Sequence, residues 1–186
     1  MRTANTKAVW TKLQLGQRDQ MMQFIKQSLA ENGFQGFISI CQLKSENCTS
    51  VPRQMGVYVI FRESLTPPAF RAVSIGGHFK SKDPTVPEHL LREQWVVDAM
   101  VIYIGKAGGR SQTATLQSRM RQYMQFGCGK PVGHRGGRFI WQLADCEDLL
   151  VAWKPLDLQE PRQVEREMIS DFIRIYGVKP FANLNR

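Results

Sequence analysis

The chain has 186 residues, 42% of them hydrophobic, which suits one domain with a sizeable core. Lys and Arg number 25 against 16 Asp and Glu, and the formal charge of +9 points to a polyanionic partner, nucleic acid by default, with a merely basic protein as the alternative. No apolar run approaches the length of a membrane span. The opening Met1-Arg-Thr-Ala-Asn-Thr lacks the layout of a signal peptide, so no membrane association and a cytoplasmic location are expected.

Cys41, Cys48, Cys128 and Cys146 form no C-x-x-C pair, and His78, His89 and His134 have no zinc-finger spacing. Free cytosolic thiols are the expectation.

Apolar residues from Gln17 to Glu31 fall near helical spacing, and Asn32-Gly33 is a stop signal. Gly36 to Leu43 fits a short strand, and Ser45 to Gln54 a loop. The stretch MGVYVIFR, Met55 to Arg62, alternates as a strand, with Val57, Val59 and Phe61 on one face and Tyr58 and Ile60 on the other. A long irregular stretch follows from Ser64 to Pro87, then a short helix from Pro87 to Asp98. VIYIGKAGG opens with a second strand, in which Val101, Tyr103 and Gly105 would share a face.

A helix is predicted from Thr115 to Phe126, then a basic glycine-rich loop from Gly127 to Gly137. RFIWQL (Arg138 to Leu143) and LLVAWK (Leu149 to Lys154) fit two more strands. The last helix runs from Pro161 to Tyr176, with Pro in its first turn and Gly177 just past its end. The order from Met55 onward, β, β, α, β, β, α, predicts an α/β (α+β) fold, a small mixed sheet flanked by helices. Residues 1–54 form an N-terminal extension, 55–186 the main domain, and about 64–98 an insertion between the first two strands.

Two charges fall where apolar residues are expected. On the last helix Glu165 lies near the middle of the stripe formed by Val164, Met168, Ile169, Phe172 and Ile173, whereas Glu167 lies on the polar side. A core-facing carboxylate is costly unless it is paired or bound to a cation. On the Thr115–Phe126 helix Arg119 projects inside the arc of Leu116, Met120, Tyr123, Met124 and Phe126, while Arg121 points away. The two inward charges either pair with each other or flank a site that handles phosphate, with Arg on an oxyanion and Glu on a metal.

The glycine turn does not complete a known nucleotide loop. Gly105-Lys106 is followed by Ala107 and lacks the earlier glycine of a phosphate-binding loop, and no G-x-G-x-x-G opens a helix. A different pattern is complete. Gly56-Val57-Tyr58, Tyr103-Ile104-Gly105 with Lys106, Leu116-x-x-Arg119-Met120-x-x-Tyr123, Glu165-x-x-Met168-Ile169-x-x-Phe172 and Pro180-Phe181-Ala182-Asn183 occur in order. Together they resemble the GIY-YIG nuclease superfamily over roughly residues 55–183. The chain departs from the compact members in the long insertion, in Tyr123 where many carry histidine, and in an extra turn before Pro180.

The resemblance implies a metal-dependent endonuclease that hydrolyses phosphodiester bonds, in DNA before RNA. The alternative is a non-catalytic nucleic-acid-binding module on the same fold. Glu165 would hold Mg²⁺, with Mn²⁺ as a possible substitute, because a hard cation suits carboxylate and phosphate oxygens. Arg119 would bind non-bridging phosphate oxygens. Tyr58 would orient or deprotonate the attacking water with help from Lys106 or the metal, since a free phenol titrates near 10. Tyr103 would complete the network and Asn183 would brace it. Arg110, Tyr123, Lys130, His134, Arg135 and Arg138 are candidate nucleic-acid contacts, with proton transfer as a second role for His134. Phe79 and Lys80 of the insertion are further candidates for substrate contact.

Overall fold

The computed structural model describes residues 24–110, 112–134 and 136–184. Most of the N-terminal helix expected from Gln17, and Arg135, lie outside the described residues. The elements in order are α1 (Lys26–Glu31), β1 (Gln35–Ser39), α2 (Ile40–Ser45), β2 (Gly56–Phe61), α3 (Glu88–Gln94), β3 (Val101–Ala107), α4 (Leu116–Gly127), β4 (Leu150–Pro155) and α5 (Pro161–Tyr176).

The strands form one sheet in the order β1-β4-β2-β3, and every pairing is antiparallel. The expected mixed sheet is therefore an antiparallel one within an α+β fold. β1 comes from the stretch before Met55, so that stretch contributes an edge strand to the sheet. β2 is central and buried along its whole length, as a strand covered on both faces must be. Its two faces separate as the alternation predicts. Tyr58 and Ile60 join a core with Leu116, Met120, Tyr123 and Phe126 of α4. Val57, Val59 and Phe61 join a second core with Phe172 of α5, flanked by Val164, Met168 and Ile169.

Three local expectations are corrected. The first is Arg138–Leu143, which is a 3₁₀ turn over Arg138–Gln142 and not a strand. Phe139, Ile140, Trp141 and Gln142 are all buried, so the run has no solvent face to alternate with. Short apolar runs do not reveal their period. The second is Gly36–Leu43, which is a strand only to Ser39, whose hydroxyl accepts from the amide of Gln42 and caps α2. The third concerns β3. Tyr103 pairs with Ile60 but Val101 pairs with Phe61, which leaves Ile102 as an extra, bulged residue. Val101 consequently faces α5, while Ile102 and Tyr103 both join the α4 core.

The insertion wraps the 3₁₀ turn. Gln142 is buried there, accepts from the Val86 amide and donates to the carbonyls of Val86 and Arg71. Arg62, where the insertion begins, binds Asp145 at 2.7 Å and the carbonyls of Ser64 and Thr66. All four cysteines are free thiols. Among the described residues no helix is long and apolar enough to cross a membrane.

β3 is an edge strand, and the C-terminal tail covers its outer side. Ala182 donates its amide to the Ile102 carbonyl at 2.9 Å. The Asn183 side chain donates to the Ile104 carbonyl at 2.8 Å and accepts from the Ile104 amide at 2.9 Å. One carboxamide thus satisfies both polar groups of a residue whose neighbours carry the site. Asn183→Ala is expected to cost about 1–2 kcal/mol for the two bonds, read as a Tm lowered by about 2–8 °C for a chain of this size. An unchanged Tm would mean that the tail does not secure the edge.

Candidate active site

The site is built on a close approach. Tyr58 of β2 lies opposite Gly105 of β3 and shares its face. A Cβ on Gly105 would come within 2.5 Å of the Tyr58 ring and 2.9 Å of the Tyr103 ring. Glycine is thus the residue that lets Tyr58 lie across β3, with its ring centroid 5.9 Å from that of Tyr103. The row continues through Tyr123 of α4, 6.4 Å from Tyr103, to His134, 4.3 Å from Tyr123.

Tyr58 is fully buried, and its hydroxyl has no partner with hydrogen-bond geometry among the described residues. The Arg119 guanidinium and the Tyr103 hydroxyl are still near enough to act on its ionisation. Burial pushes the Tyr58 phenol up, and those two neighbours pull it back only in part. Tyr103 is pushed well above its ordinary range by burial and by Tyr58. Both phenols therefore hold their protons at neutral pH.

A cleft of about 310 Å³ opens beside the outer edge of β3. Tyr103, Gly136, Glu165 and Asn183 line it, together with Arg162, Arg166 and Lys179. Glu165 is half-buried on α5, while Glu167 is exposed and accepts from Gln163. Burial raises the Glu165 carboxyl above its ordinary value, opposed first by Lys106 and then by Arg119, Arg162 and Arg166. Lys106 lies opposite Val57 and so projects to the α5 face, away from Tyr58. The help expected from Lys106 for Tyr58 falls instead on Glu165. Its ammonium donates to the Gly108 carbonyl and to Gln112.

Arg119 is half-buried on α4, and its guanidinium donates to Gln122 at 2.8 Å. It favours the charged or proton-free form of Tyr58, Tyr103, Tyr123, His134 and Glu165 alike. The glycine turn after β3 is tied to the start of α5, where Glu160 accepts from the Arg110 amide at 3.2 Å.

The expected nucleic-acid contacts divide. Arg110 and Lys130 are exposed, and Arg138 is half-buried. Tyr123 and His134 are buried. The Tyr123 hydroxyl donates to the Gly137 carbonyl at 3.0 Å, and its ring packs on His134 and Trp141. Arg162, Arg166 and Lys179 escaped the sequence reading. The signal was there for Arg162, three residues before Glu165 and four before Arg166, both helical neighbour spacings.

The donor set fits a hard cation in one respect. Glu165 offers an anionic oxygen to the cleft, and Mg²⁺ commonly takes one or two carboxylates plus water and substrate phosphate. Among the described residues no group of three His, Cys, Asp or Glu side chains gathers into a ligand cage. An ion held by Glu165 would thus take its further ligands from water and phosphate. No family model matches the chain, and neither does any curated protein or solved structure.

Gly105→Ala is expected to push the Tyr58 and Tyr103 rings apart. The fold should survive with a cost of about 1–3 kcal/mol for the overpacked core, while the near-ultraviolet circular dichroism of the tyrosines changes. A spectrum identical to wild type would show that the rings do not depend on this glycine.

Proposed function

We propose that the chain is a metal-dependent endonuclease of the GIY-YIG type that hydrolyses phosphodiester bonds, with DNA as substrate. The observation that carries the reading is the cleft itself. Tyr103, Glu165 and Asn183, three residues far apart in sequence, line one opening with Arg162, Arg166 and Lys179, and Arg119 and Lys106 act on its carboxylate.

Glu165 would hold Mg²⁺, or Mn²⁺ in its place, and the ion would polarise the scissile phosphate and stabilise the leaving oxygen. Arg119 supplies positive charge where the phosphate oxygens gain negative charge. Arg162, Arg166 and Lys179 attract the backbone of the strand and position it. Tyr103, which lines the cleft, keeps its proton and acts as a donor that orients water or a phosphate oxygen, while Tyr58, also protonated and buried behind it, acts through Tyr103. Asn183 holds the backbone of Ile104, next to Tyr103. Arg162 and Arg166, exposed beside the one carboxylate that lines the cleft among the described residues, also favour a second reading, a module that binds nucleic acid without cutting it.

Supercoiled plasmid with Mg²⁺, Mn²⁺ or EDTA separates the two. Glu165→Ala should lower metal-dependent cleavage more than about 100-fold, and Glu167→Ala should cut like wild type. The Glu165 variant should remain folded. Its carboxyl is raised by burial, so the ionised form opposes folding once the pH exceeds that raised value, and removing it at neutral pH relieves the fold. Salt-sensitive binding with no cutting by wild type would favour the second reading.

The pH profile gives a further check. Metal binding needs the Glu165 carboxylate, so activity should rise with pH along a limb above the ordinary carboxylate range. Lys106→Met removes the foremost cation that favours ionisation, and the limb should move to higher pH. A limb that stays in place would sever Lys106 from Glu165.

A further inference from the structure

A second pocket, of about 170 Å³, lies between the insertion and the loop that follows α4. Phe79 and Phe126 form its apolar walls, His134 lines it, and Lys82, Asp83 and Arg138 border it. His134 is 1% exposed, and neither ring nitrogen has a hydrogen-bond partner among the described residues. Two orphan polar atoms in one buried ring are expensive, about 1–3 kcal/mol each. Neither nitrogen is exposed in this structure, so a ligand in the pocket would supply a partner to the one that turned toward it.

The chemistry of the pocket narrows the ligand. Burial and the nearby Arg119 hold His134 well below its ordinary titration range, so the imidazole is neutral. A neutral imidazole has one donor and one acceptor. The two nitrogens point to opposite sides of the ring, so a ligand would meet one of them, and a heterocycle edge can offer either a donor or an acceptor to it. Lys82 and Arg138 stand beside Asp83 in the lining, which suits the phosphates flanking a base, and two phenyl walls favour a flat ring. Phe79 is placed at the mouth by two consecutive residues in the left-handed region, Lys80 at φ 52° and Ser81 at φ 57°.

The location links this pocket to the cleft. Gly136 borders the cleft, while His134 and Arg138, two residues to either side of it, border the pocket. Inside the protein Tyr123 connects them, since its ring packs on both Tyr103 and His134. A strand whose phosphate sits in the cleft would thus have an adjacent base within reach of the pocket. We propose that the pocket receives one unstacked nucleobase of the bound strand, packed against Phe79 and Phe126 and hydrogen-bonded to His134. This inference rests on the nuclease reading and names the part of the substrate that the site recognises. Enzymes that act on nucleic acid can take a base out of its stack in this way at modest cost when the strand is already single.

Fluorescence anisotropy in EDTA tests the proposal without any cleavage. The probes are a labelled single-stranded oligonucleotide and an abasic strand of the same length. Wild type should bind the strand with bases about 5- to 100-fold more tightly, the span expected for base–aromatic stacking. Phe79→Ala, at a partly exposed side chain that should not endanger folding, is expected to remove much of that difference and leave abasic binding unchanged. His134→Phe keeps a ring in place but removes both nitrogens, and should also reduce the difference.

Equal binding of both strands by wild type, weakened by Arg166→Ala and by salt, would overturn the base pocket while leaving the cleft reading intact. A difference between strands that Phe79→Ala does not touch would also overturn it. Failure to bind either strand would overturn the nuclease reading and the pocket with it.

Discussion

The site depends on the missing side chain at Gly105. Only there can the Tyr58 ring lie flat across the edge strand, since a Cβ would stand 2.5 Å from it. That approach fixes the spacing of the Tyr58 and Tyr103 rings, and the same burial determines their chemistry. A phenol removed from water resists ionisation. Tyr58 and Tyr103 consequently keep their protons at neutral pH, and on the proposed reading the base for an attacking water would have to come from elsewhere. The edge position of β3 follows from the same design. A central strand would have a neighbour where the cleft now opens, and an unprotected edge would invite pairing with another chain. The tail resolves the conflict by bonding Ile102 and Ile104 on the outer side, with Asn183 placed at the rim of the cleft.

Electrostatics around Glu165 pull in two directions. Burial favours its protonated form, and Lys106, Arg119, Arg162 and Arg166 favour the carboxylate. Those same cations repel a divalent ion arriving alone. A phosphate group would reverse the balance, adding negative charge to the cleft and further oxygen ligands to the ion. On the proposed reading, the arrangement would couple cation binding to substrate binding, each making the other more favourable. Arg119 sits at the centre of this coupling because it acts on the phenols, the imidazole and the carboxylate together.

Much of this was legible in the sequence, for identifiable reasons. α5 is long, periodic and bounded by Pro161 and Gly177, so its limits and the inward phase of Glu165 could be read directly. Alternation placed Tyr58 and Ile60 on the correct face of β2. The reading failed where local pattern yields to tertiary packing. Ile102 bulges out of register, which no composition signals, and that moved Val101 to the other face. Arg138–Gln142 is apolar enough for a strand, yet it is turned and buried beneath the insertion. His134 stands in a basic, glycine-rich segment that has the composition of a surface loop, but its ring is swallowed by Tyr123 and Phe126. Charge density along a chain says little about which side chains turn inward.

That segment, from Gly133 to Gly137, changes meaning once its neighbours are known. Glycines beside arginines suggest backbone amides turned toward phosphate. Their surroundings indicate a different use. A Cβ on Gly136 would come within 2.8 Å of the Tyr103 hydroxyl, one on Gly137 within 3.1 Å of the Tyr123 hydroxyl, and one on Gly133 within 3.2 Å of the Phe79 ring. Gly133, Gly136 and Gly137 thus lie directly on aromatic groups, with Gly136 at the cleft and His134 and Arg138 at the second pocket. A wall of larger residues would lift the loop from the tyrosines and separate the two openings. On the proposed reading, that closeness would let one bound strand engage both openings, with a phosphate on one side and a base on the other.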